Sequence, residues 1–443
     1  MSLRHRGDEG LNRAIGPVGV GAIALNGVIG AGIFALPAVA AEAAGSFSPW
    51  LFVICALMIM TVVLSFARVS SFFSETGGPV VYVEEAFGLF AGFQAGWLYS
   101  FARIAALAAN AHLMVTYAAW LWPEIDADAP RLALVSGVCI ALTAINVAGV
   151  RSGLAAVFAL TVLKLLPLSL ILIFGLAKIE PSVFLAPEIP ELEGMGGVIL
   201  VLLYAFVGFE SAVVPAGEVR NPNRSVPRSL MWTVGIICVL YFLIQLVCVS
   251  VIPELASSER PLADVAERLM GAMGASALVL GAVFSICGNL SGMFFTAPRM
   301  LYAMGRDGGL PGWFARVHPR FRTPANSIVF VGALGLALAL SGRFVWLATM
   351  STAVRLIVYM ACILSLPRLE RVLGKDTAQF HLPGGFAVPA VALLLCIWLT
   401  TQASMKSWLT MLAFAGLGTL LYALNRRAAA KVESVQAADP RVQ

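Results

Sequence analysis

Apolar runs separated by short polar connections fill nearly the whole chain. A helix needs roughly 20 apolar residues to cross a hydrocarbon core of about 30 Å. Uncharged runs of that order occupy 14–41, 43–67, 132–150, 229–253, 269–298, 323–342, 382–405 and 407–425. Four further runs hold one charge each: 86–122 with Arg103, 152–177 with Lys164, 194–217 with Glu210 and 344–367 with Arg355. The pattern predicts an all-α polytopic membrane protein with twelve transmembrane helices.

Two of these runs carry helix breakers at mid-depth. LNGVIGAGIFALP, residues 25–37, places Gly27, Gly30 and Gly32 within six residues and Pro37 one turn further on. Glycine costs a helix about 1 kcal/mol relative to alanine, and proline about 3. In hydrocarbon an unpaired N–H or C=O costs several kcal/mol, so a broken helix is expected only where it lines a cavity or holds something. A second such stretch, AFVGFE at 205–210, lies halfway along the sixth run. Interruptions at matching places in two halves point to a transporter site. We therefore expect two five-span repeats of opposite orientation, 14–178 and 194–367, followed by two helices within 382–425. The halves share no residue-level similarity, so the repeat rests on layout alone. For Gly30-Ala31-Gly32 the competing reading is close helix packing through small residues.

Composition agrees with the pattern. The chain is 60% hydrophobic and 12% charged, with a mean hydropathy of +0.89, whereas soluble domains are about a quarter charged. The net charge of +5 gives no sign of nucleic-acid binding; its distribution matters more. Basic residues collect on alternate connections, at Arg4, Arg6 and Arg13, Arg68, Arg151, and Arg220, Arg224 and Arg228. They continue at Arg299, Arg306, Arg316, Arg320 and Arg322, then Arg368, Arg371 and Lys375, and from Arg426 onward. The opposite connections are acidic: Glu124, Asp126, Asp128, Glu180, Glu188, Glu191 and Glu193. By the positive-inside rule both the N-terminal stretch 1–13 and the tail 426–443 are cytoplasmic, as an even span count requires. The first run, 28 residues long, exceeds a signal-peptide core and reads as a span.

Composition and motifs also narrow the chemistry. The seven cysteines lie inside spans without metal-ligand spacing and read as small apolar filler. The histidines, at 5, 112, 318 and 381, form no cluster. We expect no enzyme, metal or cofactor, and no ATP-driven pump, because no phosphate loop is present. No channel filter motif is visible.

Several motifs, spread along nearly the whole chain, resemble the amino acid–polyamine–organocation (APC) transporters. GVIGAGIF (27–34) is similar to the family's unwound first helix, and FVGFE (206–210) to its sixth. GEVRNPNRSVPRSL (217–230) matches the loop that follows, PRMLYAMGRDGGLP (298–311) the end of helix eight, and LPGGFAVP (382–389) the start of helix eleven. The resemblance implies a five-plus-five inverted-repeat (LeuT-like) core with two peripheral helices. It implies a secondary transporter of an amino acid or related amine in the cell membrane, working as monomer or homodimer by alternating access. Uptake driven by protons, exchange without ion coupling, and a transport-inactive sensor of the same fold remain open.

The residues support such a substrate independently. Unwinding around Ile29, Gly30, Ala31, Gly32 and Ile33 frees N–H groups at a helix start, a place for a carboxylate. Unwinding around Phe206, Val207, Gly208 and Phe209 frees carbonyls for an ammonium. In this family an aromatic of helix six gates the substrate, which the match assigns to Phe206; both phenylalanines could instead be core. The resemblance implies that Lys164 stands where sodium-coupled members bind an ion, so an ammonium can replace that ion and couple protons, or act as a fixed cation; the competing reading is a lysine that snorkels to an interface. Glu210, a coupling candidate beside Lys164, is expected to hold the broken segment or to pair with a buried cation, with a direct substrate role as the further alternative. Tyr99, Arg103, Asn110 and Met114 share a helical face. Arg103 either faces the cavity, favouring an acidic or carboxamide side chain, or pairs with Glu210, or has a lipid-interface or other structural role. Arg355 is expected in a helix–helix or gating contact, and His112 in packing. GRDGGLP (305–311) is expected to fold beneath the core as a lid or helix, and RNPNRSVPR (220–228) to link into helix seven.

Overall fold

The computed structural model describes residues 13–149, 154–185, 187–191 and 193–437. The N-terminal stretch with Arg4 and Arg6, Arg151, and the end of the tail lie outside the described residues. Among the described residues, fifteen α-helices are joined by short 3-10 turns. They are α1 (Pro17–Val28), α2 (Gly32–Ala44), α3 (Ser48–Ser70), α4 (Pro79–Phe87), α5 (Leu89–Ala118), α6 (Asp128–Ala148), α7 (Leu154–Gly175) and α8 (Pro181–Leu185). There follow α9 (Met195–Leu202), α10 (Pro222–Val251), α11 (Pro261–Arg306), α12 (Ala325–Ser341), α13 (Phe344–Leu373), α14 (Ala387–Thr401) and α15 (Met405–Ala437). Among the described residues, nine helical stretches are long and apolar enough to cross a membrane, and α1, α12 and α14 are shorter apolar helices.

Local rules set many of the helix starts. Proline opens α1, α3, α4, α10 and α11 at the first or second position, where its missing N–H has no intrahelical partner to lose. This corrects the reading of 220–228 as a linker. The helix is already formed at Pro222, and its second proline, Pro227, lies within it. GRDGGLP is helical only at its start, where α11 ends at Arg306. From Asp307 it continues as turns, with Gly309 and Leu310 N–H both donating to Met304 O. Asn425 of α15 caps it at Gly308 O.

Helix α5 is the axis of the molecule. Its apolar window is wholly buried, whereas 17% of that of α6 and 22% of that of α15 are, so the latter two lie at the outside of the bundle. α5 packs along α11 and α13, while α10 packs along α3 and α1. The breaks lie between these groups. A parallel bridge ties the start of α1 to the end of the sixth segment: Ile15 N–H donates to Glu218 O, and Arg220 N–H to Ile15 O.

Candidate functional site

The first run is interrupted where its glycines cluster. α1 ends at Val28, Ile29 is extended (φ −74°, ψ 91°), and α2 starts at Gly32 with Ala31 as its N-cap. The first backbone bonds of α2 run from Phe34 and Ala35 N–H to Ala31 O. The N–H groups of the α2 start, from Gly30 to Ile33, therefore point out of the helix end, as those of any helix start do. The sixth segment is more disrupted than its sequence suggests. α9 stops at Leu202, and the chain continues to Glu218 in 3-10 turns and bends with no second α-helix. No backbone N–H reaches the carbonyls of Phe206 or Val207 among the described residues.

Glycine lets the two breaks touch. A Cβ on Gly27 would lie 2.5 Å from Gly208 O, and one on Gly32 2.7 Å from Ala205 Cα. Gly208 also has a φ of +114°, which disfavours any side chain. Ile29, Ile33, Phe206 and Phe209 are fully buried. Clefts of about 420 Å³, beside Asn221 and Arg224, and about 710 Å³, beside Ile252 and Arg260, lie at opposite ends of α10. Neither is lined by a residue of the breaks, whose own residues Ile29, Ala31, Phe206 and Val207 are buried.

Lys164 anchors the first break. Fully buried, its Nζ donates to Ile29 O at 2.7 Å and to Asn26 O at 3.1 Å. These carbonyls end α1, where the helix dipole favours a cation. Asn289 of α11 donates to the same Asn26 O at 3.2 Å, and its side chain also packs on Gly30.

Glu210 anchors the second break. Its Oε2 accepts from Gly208 N–H at 2.9 Å and from Tyr359 OH at 2.7 Å, and its Oε1 from Arg355 Nε at 3.1 Å. Arg355 Nη1 also donates to Ser351 Oγ. Glu210 thus both braces its own segment and ties it to α13.

Arg103 is not the partner of Glu210, so that expectation is corrected. From α5 its Nη1 donates to Tyr99 OH at 3.0 Å and to Ser211 Oγ at 3.1 Å, while its Nε has no partner. The shorter connection to Glu210 belongs to α13, whose Arg355 and Tyr359 stand one turn apart. Further along the same face of α5, Asn110 donates to Tyr204 OH at 3.0 Å, and Met114 meets Cys287 Sγ. His112 Nε2 bonds Ala339 O at 2.7 Å, a packing contact.

The phenylalanines of the sixth segment lie among aromatics. Phe206 meets Phe52 and Tyr241, and Phe209 meets Phe66 and Tyr359. Sequence reasoning missed Tyr204 and Asn289, which adjoin the breaks; neither carries a charge or a breaker that would single it out. At one end of the bundle, buried Arg68 binds Glu370 at 2.9 Å and the carbonyls of Lys375 and Phe380. At the other, Asp126 pairs with Arg260 and Arg131.

Comparisons with known proteins agree with this architecture. A family model described as amino acid permease matches residues 15–429. An uncharacterized transporter of Mycobacterium tuberculosis is 30% identical over 421 residues, covering 94% of this chain and 92% of that protein. The serine/threonine exchanger SteT of Bacillus subtilis is 29% identical, covering 76% of this chain and 78% of its own. The branched-chain amino acid permease BcaP of the same organism is 24% identical, covering 96% of each.

Proposed function

Because this chain belongs to the amino acid permease family, whose members named above are transporters, we propose that it carries an amino acid across the membrane by alternating access, coupled to protons. The observation that carries this reading is the contact between two interrupted segments in the buried interior, Gly27 against Gly208. The N–H groups opening α2 would receive the substrate carboxylate. The unpaired carbonyls of Phe206 and Val207 would receive its ammonium. The proposed arrangement has twelve spans, with repeats over 14–178 and 194–367, two outer helices and both ends in the cytoplasm. α1, α2, α3, the sixth segment and α10 would rock against a frame of α5, α6, α11 and α12, an analogy at the level of the fold.

Lys164 is the proposed coupling group. Its ammonium bridges the end of α1 to α7 through two carbonyls, which is where a metal cation would otherwise bind. A desolvated lysine can exchange its proton, and losing it would leave those carbonyls without a cation and loosen the first break. A second reading is exchange without ion coupling, with Lys164 a permanent cation. Two well-formed hydrogen bonds support it, as does the similarity to a serine/threonine exchanger.

Purified protein in proteoliposomes separates the two. Proton coupling predicts amino acid accumulation that follows an imposed proton gradient. Lys164→Ala should still bind substrate but lose that response. Flux that needs amino acid on both sides and ignores the gradient would establish exchange, and sodium-dependent flux would exclude Lys164 as the ion's substitute.

A further inference from the structure

The buried charges around the breaks do not balance. Among the described residues, Lys164, Arg355 and Arg103 are buried cations here, with exposures of 0%, 2% and 7%, and Glu210 is the buried carboxylate among them. Arg355 is neutralised by Glu210. Lys164 sits on the negative end of the α1 dipole through two carbonyls. Arg103 has neither kind of partner. Its contacts are two neutral hydroxyls, Tyr99 OH and Ser211 Oγ, and the Tyr99 ring 5.6 Å away.

A guanidinium without a carboxylate bonded to it inside a membrane span is expensive and marks substrate or ion pathways. The location of Arg103 suits this role. Ser211 Oγ, its second partner, lies 3.2 Å from where a Cβ on Gly27 would be, so the guanidinium stands at the junction of the two breaks. Its Nε is buried and unpartnered, leaving part of the planar donor fork that matches a carboxylate. A zwitterion held by the two breaks brings no net charge and leaves Arg103 uncompensated. A second carboxylate on the same substrate would neutralise it.

We propose that the substrate is an acidic amino acid, and that Arg103 receives the carboxylate of its side chain. This rests on the transport reading above. It makes Arg103 a specificity-determining residue, because a cationic side chain would meet like charge and a neutral one would leave the fork unused.

Isosteric ligand pairs test it on the full-length protein. Glutamate and glutamine, and aspartate and asparagine, differ in one charge and little in shape. Thermal shift and binding titration should show the acid of one pair bound at least tenfold more tightly than its amide, about 1.4 kcal/mol. Arg103→Gln should bring the two within about twofold, and Arg103→Lys, which keeps a charge but loses the fork, should fall between. The wild-type ratio decides even if a variant fails to fold. Glutamine and asparagine bound as well as the acids would overturn the proposal while leaving amino acid transport intact. A preference for the acid that persists in Arg103→Gln would overturn the assignment to this residue. Binding of no amino acid would bring down the transport reading and this inference together.

Discussion

Single side chains here matter according to what their loss leaves behind. Glu210 has three donors aimed at it: Arg355, Tyr359 and Gly208 N–H. Removing its charge strands a buried guanidinium, which typically costs about 3–5 kcal/mol. Glu210→Gln should therefore lower the thermal midpoint in detergent markedly. The double variant Glu210→Gln with Arg355→Met should recover part of the loss, because the stranded charge goes too. If the single and double variants unfold at the same temperature, the pair is not the brace described. The charged residues themselves were visible in the sequence, as single interruptions of apolar runs. Their partners were not. Arg355 and Arg103 are both mid-span arginines with similar neighbours, and only the relative rotation of α5 and α13 decides which meets Glu210.

The elements that matter most are the two interrupted segments, each marked in the sequence by glycine at mid-run, with Pro37 added in the first. What the breakers did not reveal was how far the disruption extends. The first segment resumes as α2 after three residues, while the sixth does not resume as an α-helix at all before α10. Glu210 replaces the missing backbone bonds locally, and the bridge from Ile15 to Val219 closes the far end. Gly208→Ala is the sharpest test of this element. The left-handed conformation costs a side chain about 1–2 kcal/mol, and the added Cβ also meets Gly27 O. The substitution should abolish transport and lower stability by more than Gly16→Ala, where a Cβ meets nothing within 4 Å. Equal effects of the two, measured by flux and thermal midpoint, would mean that the segments do not need their close approach.

Across the whole molecule, tethers at both ends flank the buried breaks. Arg68 ties the end of α3 to Glu370 of α13 and to the chain beyond it, while Asp126 joins Arg131 and Arg260 at the other end. Arg68 was counted in the sequence among loop cations, yet it is 5% exposed; a guanidinium in the last turn of a helix can fold back onto carbonyls. The proposed orientation has its own test. Single cysteines placed in the N-terminal stretch and in the C-terminal tail should react with a membrane-impermeant thiol reagent only after cells are opened. Labelling of one end in intact cells would require an odd number of spans.

The sequence alone determined the class of this protein, the place of its two breaks along the chain and the identity of the charges buried around them. All three follow from one local fact: in hydrocarbon, apolar length and every exception to it are costly and therefore legible. Only the tertiary structure decided the pairings. Which arginine neutralises Glu210, which carbonyls hold Lys164, and that Phe206 lies among aromatics depend on helix rotation and register, set by packing between segments far apart in the chain. Those contacts leave no periodic trace in either partner.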